Sequence, residues 1–177
     1  MTLAETAFRL DEKNRPIAPL VCSADELARS LMKSCDWFTG VPDSVFKNVL
    51  PLVTPYLPSP RENHCVGVAF GARLGGKRPC ILIQNSGLGL SGDALFGLFH
   101  LYKLGVLFVV ACRGELEWEE AQHQQWGRQT ASYLTAMELM SFDLQKDGLH
   151  AVTLAAELAF THNKPSVLLV HRGNIDE

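Results

Sequence analysis

Two runs constrain this chain more than anything else in it: PCILIQ at residues 79–84 and VLFVVAC at residues 106–112. Each has the length of a strand and is apolar at nearly every position rather than at alternate ones. A strand that is apolar on both faces has to be covered on both faces, which is the condition of a parallel sheet held between two layers of helix. Residues 37–41 (WFTGV) and 166–170 (SVLLV) repeat the pattern, and helix-length segments separate all four runs. The sequence therefore predicts an α/β domain with a doubly wound, mostly parallel sheet.

The punctuation between the runs agrees. Ser23-Ala24-Asp25-Glu26 is a capping box ahead of the apolar face Leu27, Leu31 and Met32. Pro42-Asp43-Ser44 opens a second helix that Pro51 should end, and a third runs from about Asn63 to Leu74, where Gly75-Gly76 stops it. Asn85 to Gly89 reads as a turn into a helix reaching toward Leu104. A polar loop is expected from Glu115 to Trp126, then helices near 130–140 and 149–162. The domain spans residues 20–177 and follows an arm at 1–19, which reads either as a loose extension or as an element docked on a partner.

Ligands of such sheets gather at the carboxyl ends of the strands. That rule selects Gly40 to Ser44, Gln84 to Gly89 and Arg113 to Gly127 as one rim, and these are the chain's richest clusters of polar residues and glycine. Composition narrows the chemistry. A hydrophobic share of 47% with 20% charged residues suits a subunit that hides surface against other chains. A net charge of −3 leaves no basic stripe for a phosphate backbone, which argues against nucleic acid. No apolar run approaches the ~20 residues of a membrane span, and the first residues lack a signal core, so a cytoplasmic protein is expected. Five cysteines, odd in number and without a CxxC pair, read as reduced core residues, with no metal site expected.

At the rim, the residues before Leu88 lack the GxSxG nucleophile pattern, and Gly87-x-Gly89-x-x-Gly92 lacks the downstream acid that would hold a ribose. His123, among Gln122, Gln124 and Gln125, is either a solvated loop residue or an imidazole aimed at a ligand. Arg113 could clamp an anion or pair with Glu115 or Glu120. Glu62 is the sharpest case, because only Asn63 and His64 separate it from the apolar, small-residue run CVGVAFGA. It either caps its helix or faces a ligand held between subunits.

Four stretches together carry a resemblance: FTGVPDS at 38–44, ENHCVGVAFGARLGGKRP at 62–79, QNSGLG at 84–89, and CRGE at 112–115 with QHQQWG at 122–127. In this order they resemble the pyrimidine-binding (PYR) domain of thiamine-diphosphate (ThDP)-dependent 2-oxo acid decarboxylases, most closely the phosphonopyruvate and sulfopyruvate decarboxylases. The resemblance implies a six-stranded sheet with helices on both faces. It implies that Glu62 hydrogen-bonds the ring nitrogen N1′ of the cofactor's aminopyrimidine, with Asn85, Ser86 and Gly87 also at the cofactor. Asp43 and His123 are implied as catalytic groups for positioning and proton transfer. Around the substrate, Arg113 would meet the anionic tail of a small 2-oxo acid beside Asn85, Ser86, Gln122 and His123.

The family's Mg²⁺-binding GDG…N motif, which anchors the diphosphate, is missing: Ser91-Gly92-Asp93 is not followed by glycine. With the chain stopping just after its last strand, the resemblance implies a split enzyme. A separate PP-domain (beta) subunit would hold Mg²⁺, in a heterotetramer or larger assembly, and the chain alone would be inactive. A carboligase subunit of the acetolactate synthase or benzaldehyde lyase kind, and a catalytically silent PYR-fold regulatory partner, are the alternatives.

Overall fold

PCILIQ and the end of VLFVVAC lie side by side at the centre of a six-stranded sheet. The computed structural model of the chain describes residues 8–176. In chain order its elements are β1 (Arg9–Leu10), β2 (Pro16–Ile17), α1 (Ala24–Ser34), β3 (Trp37–Gly40), β4 (Tyr56–Pro58), α2 (Glu62–Leu74), β5 (Pro79–Gln84) and α3 (Asn85–Ala94). Then come β6 (Leu107–Cys112), α4 (Ala121–Ala136), β7 (Met140–Asp143), α5 (Leu144–Asp147), α6 (His150–Phe160) and β8 (Ser166–His171). The large sheet has the order β4-β3-β5-β6-β8-β7 with every neighbouring pair parallel. One core layer gathers Leu27, Leu31, Phe46, Leu82, Val109 and Ala155 on the α1–α6 side. The other gathers Val66, Ala69, Ile83, Leu88, Phe108 and Leu134 on the side of α2, α3 and α4. The doubly wound α/β architecture is thus present, driven by burial of β5 and β6 on both faces.

Two strands carry no such signature. β4 is a three-residue edge strand ending in proline, and β7 (MSFD) is an edge strand whose first residues are exposed. An edge strand with solvent on one side loses the continuous apolar code. Three further readings are corrected. The helix expected after Pro42 is only a 3-10 turn, Ser44–Phe46, because prolines at 51 and 55 leave room for little more, and Val45, Phe46, Val49 and Val53 dip singly into the core. The segment after Gln84 needs no turn, since α3 begins at Asn85 and passes into a π-helical stretch, Leu95–His100. The expected loop over 115–126 ends early, because α4 starts at Ala121 and stops at Ala136, ahead of β7.

Of the arm expected over 1–19, residues 1–7 lie outside the described residues. The remainder forms the β1–β2 hairpin, packed on its own chain: Ala18 N–H donates to the Arg172 carbonyl at 2.8 Å, and Trp118 Nε1–H donates to the Pro16 carbonyl at 2.8 Å. Arg15 lies over the Trp118 ring, 3.7 Å from its centroid.

The capping box before α1 is complete. Ser23 Oγ accepts from Glu26 N–H at 3.2 Å, while Glu26 accepts from Ser23 N–H at 2.9 Å. Ser23→Ala is therefore expected to cost about 1 kcal/mol, read as a lower urea midpoint at unchanged slope.

Candidate active site

The winding decides where the site lies. From β3 the chain crosses to β4 on one side, and from β5 it crosses to β6 on the other, so a crevice opens at the carboxyl ends of β3 and β5. Such switch points hold ligands in open α/β sheets. The heads of α2 and α3 both reach this rim.

Glu62 is the first residue of α2. Arg61, not Glu62, occupies the capping position, and no side chain caps the helix. The Glu62 side chain instead lies against Gly87 of α3, where an added Cβ would stand 2.5 Å from Glu62 Cγ. Only glycine permits that approach. Glu62 is partly buried, and among the described residues no hydrogen bond or ion pair meets its carboxylate. Its sole support is the positive end of α2. An acid placed so, half out of water and without a partner among the described residues, is suited to a ligand donor.

A second cluster lies on the same rim. Arg113, buried at the end of β6, donates from Nη1 to Asp43 Oδ2 at 3.0 Å and Ser44 Oγ at 3.3 Å, from Nε to Glu119 Oε1 at 3.0 Å, and from Nη2 to Glu120 Oε2 at 3.2 Å. Burial works against its charge, but Asp43, Glu119 and Glu120 outweigh that and raise its pKa. Asp43 uses both oxygens, since its Oδ1 also accepts from Val45 N–H at 2.9 Å. His123 Nε2 stands 4.0 Å from Glu120 Oε2. It sits on the first turn of α4 rather than in a loop, with Gln122 exposed beside it. Gln124, next to His123, donates to the Glu117 and Glu119 carbonyls.

Asn85 joins the two clusters. Fully buried, it donates from Nδ2 to the Arg113 carbonyl at 2.9 Å and to Thr130 Oγ1 at 2.9 Å, and its Oδ1 accepts from Ser86 N–H at 3.1 Å. The head of α3 is thereby fixed to the end of β6 and to α4. Ser86 stays partly exposed at the rim.

Sequence reasoning missed Glu119, which lies in what reads as a polar loop. Its side chain is fully buried and accepts from Gly114 N–H at 2.7 Å and Glu115 N–H at 3.2 Å besides Arg113. Three acids in the stretch EWEE gave no sign of which one turns inward. Thr130 was missed too, although the spacing Trp126, Thr130, Tyr133, Met137 marks the buried face of α4 and would have found it.

No family model matches the chain. A solved structure from Mycobacterium smegmatis, assigned as a thiamin diphosphate-dependent enzyme, superposes with a TM-score of 0.59 at 17% identity over 87% of this chain and 32% of that one. The sulfopyruvate decarboxylase subunit alpha of Methanococcus maripaludis is 30% identical over 142 residues, 76% of this chain and 85% of the relative. The phosphonopyruvate decarboxylase of Streptomyces viridochromogenes is 32% identical over 133 residues, 71% of this chain but only 34% of the longer relative. The fold is the PYR-type α/β fold of ThDP-dependent enzymes. Within that class, the chain belongs to the sulfopyruvate and phosphonopyruvate decarboxylase family, on the side of the alpha subunits. Among the described residues, no helix is long and apolar enough to cross a membrane.

Proposed function

We propose that this chain is one half of a split ThDP-dependent decarboxylase acting on a small 2-oxo acid with a sulfonate or phosphonate tail. The observation that carries the reading is the Glu62 carboxylate, partly buried against Gly87 at the switch-point rim and unmet among the described residues. When bound, thiamine diphosphate supplies a carbon nucleophile and an electron sink for loss of CO₂. Glu62 would hold a proton at ring nitrogen N1′ of the aminopyrimidine, its side chain seated in the space that Gly87 leaves beside α3. Ser86 offers its hydroxyl at the same rim, while Asn85, spent on Arg113 and Thr130, acts as a positioning residue.

Asp43, Arg113 and Glu120 form a continuous polar wall, and His123 at its end, with Gln122 beside it, would move a proton at the substrate. Arg113 faces three carboxylates, so its surroundings are net negative. That favours Arg113 as the residue that orients Asp43 and the segment after β6, ahead of a direct grip on the substrate's anion. The anionic tail then depends on the partner as well. The relatives' designation as subunit alpha supports a separate PP-domain (beta) subunit, which would hold Mg²⁺ and the diphosphate in a cytoplasmic heterotetramer or larger complex.

Co-expression with the beta-type polypeptide of the same source tests the proposal. The chain alone is expected to turn over no 2-oxo acid, and the pair to release CO₂ and an aldehyde from sulfopyruvate or phosphonopyruvate. Turnover by the lone chain would overturn the split site. A carbon–carbon ligation product in place of the aldehyde would make the pair a carboligase.

A further inference from the structure

The carboxyl ends of β6, β8 and β7 hold a constellation that the proposed chemistry does not use. Cys112 and His171 are register partners on the adjacent parallel strands β6 and β8. Asp143 of β7 is the partner of Leu169, two residues before His171, so Asp143 and His171 project from the same face of the sheet. Glu115 comes from the segment just after β6. The Cys112 Sγ, a Glu115 carboxylate oxygen and a His171 ring nitrogen all lie within 4.8 Å of one another. His171 Nδ1 is 2.6 Å from Glu115 Oε2, and His171 Nε2 is 3.2 Å from Asp143 Oδ1. Lys146 pairs with Asp143 at 3.0 Å. A cavity of about 350 Å³, lined by these residues together with Ala18 and Leu116, opens onto the group.

We infer that Cys112, Glu115 and His171 form a binding site for a zinc-class divalent cation, with Asp143 orienting the imidazole. The donor set is one thiolate, one imidazole and one carboxylate, each a donor type that zinc takes, and three protein ligands leave a fourth position open. Two ligands stand on neighbouring strands of a rigid sheet, so their separation is fixed by backbone pairing. The third comes from an exposed side chain that can adjust by a rotamer. Tetrahedral bonds of about 2.0–2.3 Å put donor atoms roughly 3.3–3.7 Å apart. The Nδ1–Oε2 pair must therefore open by about an ångström, and the thiol must close in by no more than about 1.5 Å. The ion takes Nδ1 while Nε2–H stays on Asp143, the carboxylate–histidine–metal arrangement that fixes the ring's tautomer. On binding, the ion displaces the thiol proton and the proton held between Nδ1 and Glu115. Two positive charges leave and two arrive, so the local charge is unchanged and Lys146 remains paired with Asp143.

A simple ion-pair role, His171 between two carboxylates, would need neither the thiol nor the cavity. The test separates the two. The full-length chain, reduced and treated with chelator, is titrated with Co²⁺ and then Zn²⁺, following the thiolate-to-cobalt charge-transfer band and calorimetric stoichiometry. One equivalent is expected, with Zn²⁺ displacing Co²⁺. Cys112→Ser is expected to abolish the thiolate band, Glu115→Ala to weaken binding at least tenfold, and Asp143→Asn to weaken it about 10–100-fold. Cys80→Ser, at the opposite, amino-terminal end of the sheet, where Cys80 pairs with Leu107, is expected to leave binding unchanged. Glu115 is exposed, so its variant keeps the test readable even if the Cys112 variant fails to fold. Absence of a thiolate band in the parent chain, or binding indifferent to both Glu115 and Asp143, would overturn the inference. Cys112 and Glu115 flank Arg113, but the decarboxylase reading rests on Glu62 and is read out by turnover of the two-subunit pair, so a metal titration of the lone chain tests this inference separately.

Discussion

Glu62→Gln, in the assembled two-subunit enzyme, is expected to lose about two to four orders of magnitude in kcat while leaving KM, assembly and stability nearly intact. The two halves of that expectation have separate physical grounds. The carboxylate has no partner among the described residues, so an amide of the same size strands no buried group and breaks no ion pair. Among the described residues, the interaction lost is that with the positive end of α2, which is about 0.3–1 kcal/mol at an exposed helix start. Toward a ring nitrogen, however, the two groups differ in kind. A carboxyl can share a proton across the bond and change its charge as the ring's electronics change; an amide can do neither. Steady-state kinetics alongside denaturant unfolding of the same preparations check both halves. Turnover at the parent level would remove Glu62 from the mechanism and leave its exposure to the rim unexplained.

What could be read from sequence, and what could not, follows from where information about burial is stored. β5 and β6 were legible because coverage on both faces writes a solid apolar word. β4 and β7, at the edges, were not, because one open side permits proline in the first and Met-Ser in the second. Glu62 was legible as a misfit, a charge set against a small-residue core run. The partner of Arg113 was legible only in part. Glu120 was anticipated, but Asp43 is 70 residues away and is brought to Arg113 by the convergence of the β3 and β6 ends, a property of the whole sheet. Glu115, the other anticipated partner, goes instead to His171, a residue to which the sequence assigned no role. Local spacing can name the candidates for an ion pair, but strand order chooses among them.

Arg113→Met is expected to destabilise the chain by about 3–5 kcal/mol, a loss that urea unfolding would read directly. The guanidinium is the main cation set against the fully buried Glu119 carboxylate and the nearly buried Asp43. Removing it leaves both acids in low dielectric, where an unpaired charge costs far more than the pair itself contributed. Relief is partial: Arg172 lies 3.8 Å from Glu119, and the Gly114 and Glu115 N–H groups still donate to it. Adding Glu119→Gln to the Arg113→Met background should therefore recover a good part of the loss, because a neutral amide keeps an acceptor for those backbone donors without the stranded charge. The alternative assignment of Arg113, a direct clamp on the substrate's anion, makes the opposite forecast. Under it the single variant would raise KM at nearly unchanged stability, and the second substitution would rescue nothing. Four polar contacts from one buried guanidinium favour the first outcome, since a side chain held by three carboxylates has little positive field left to offer a fourth anion.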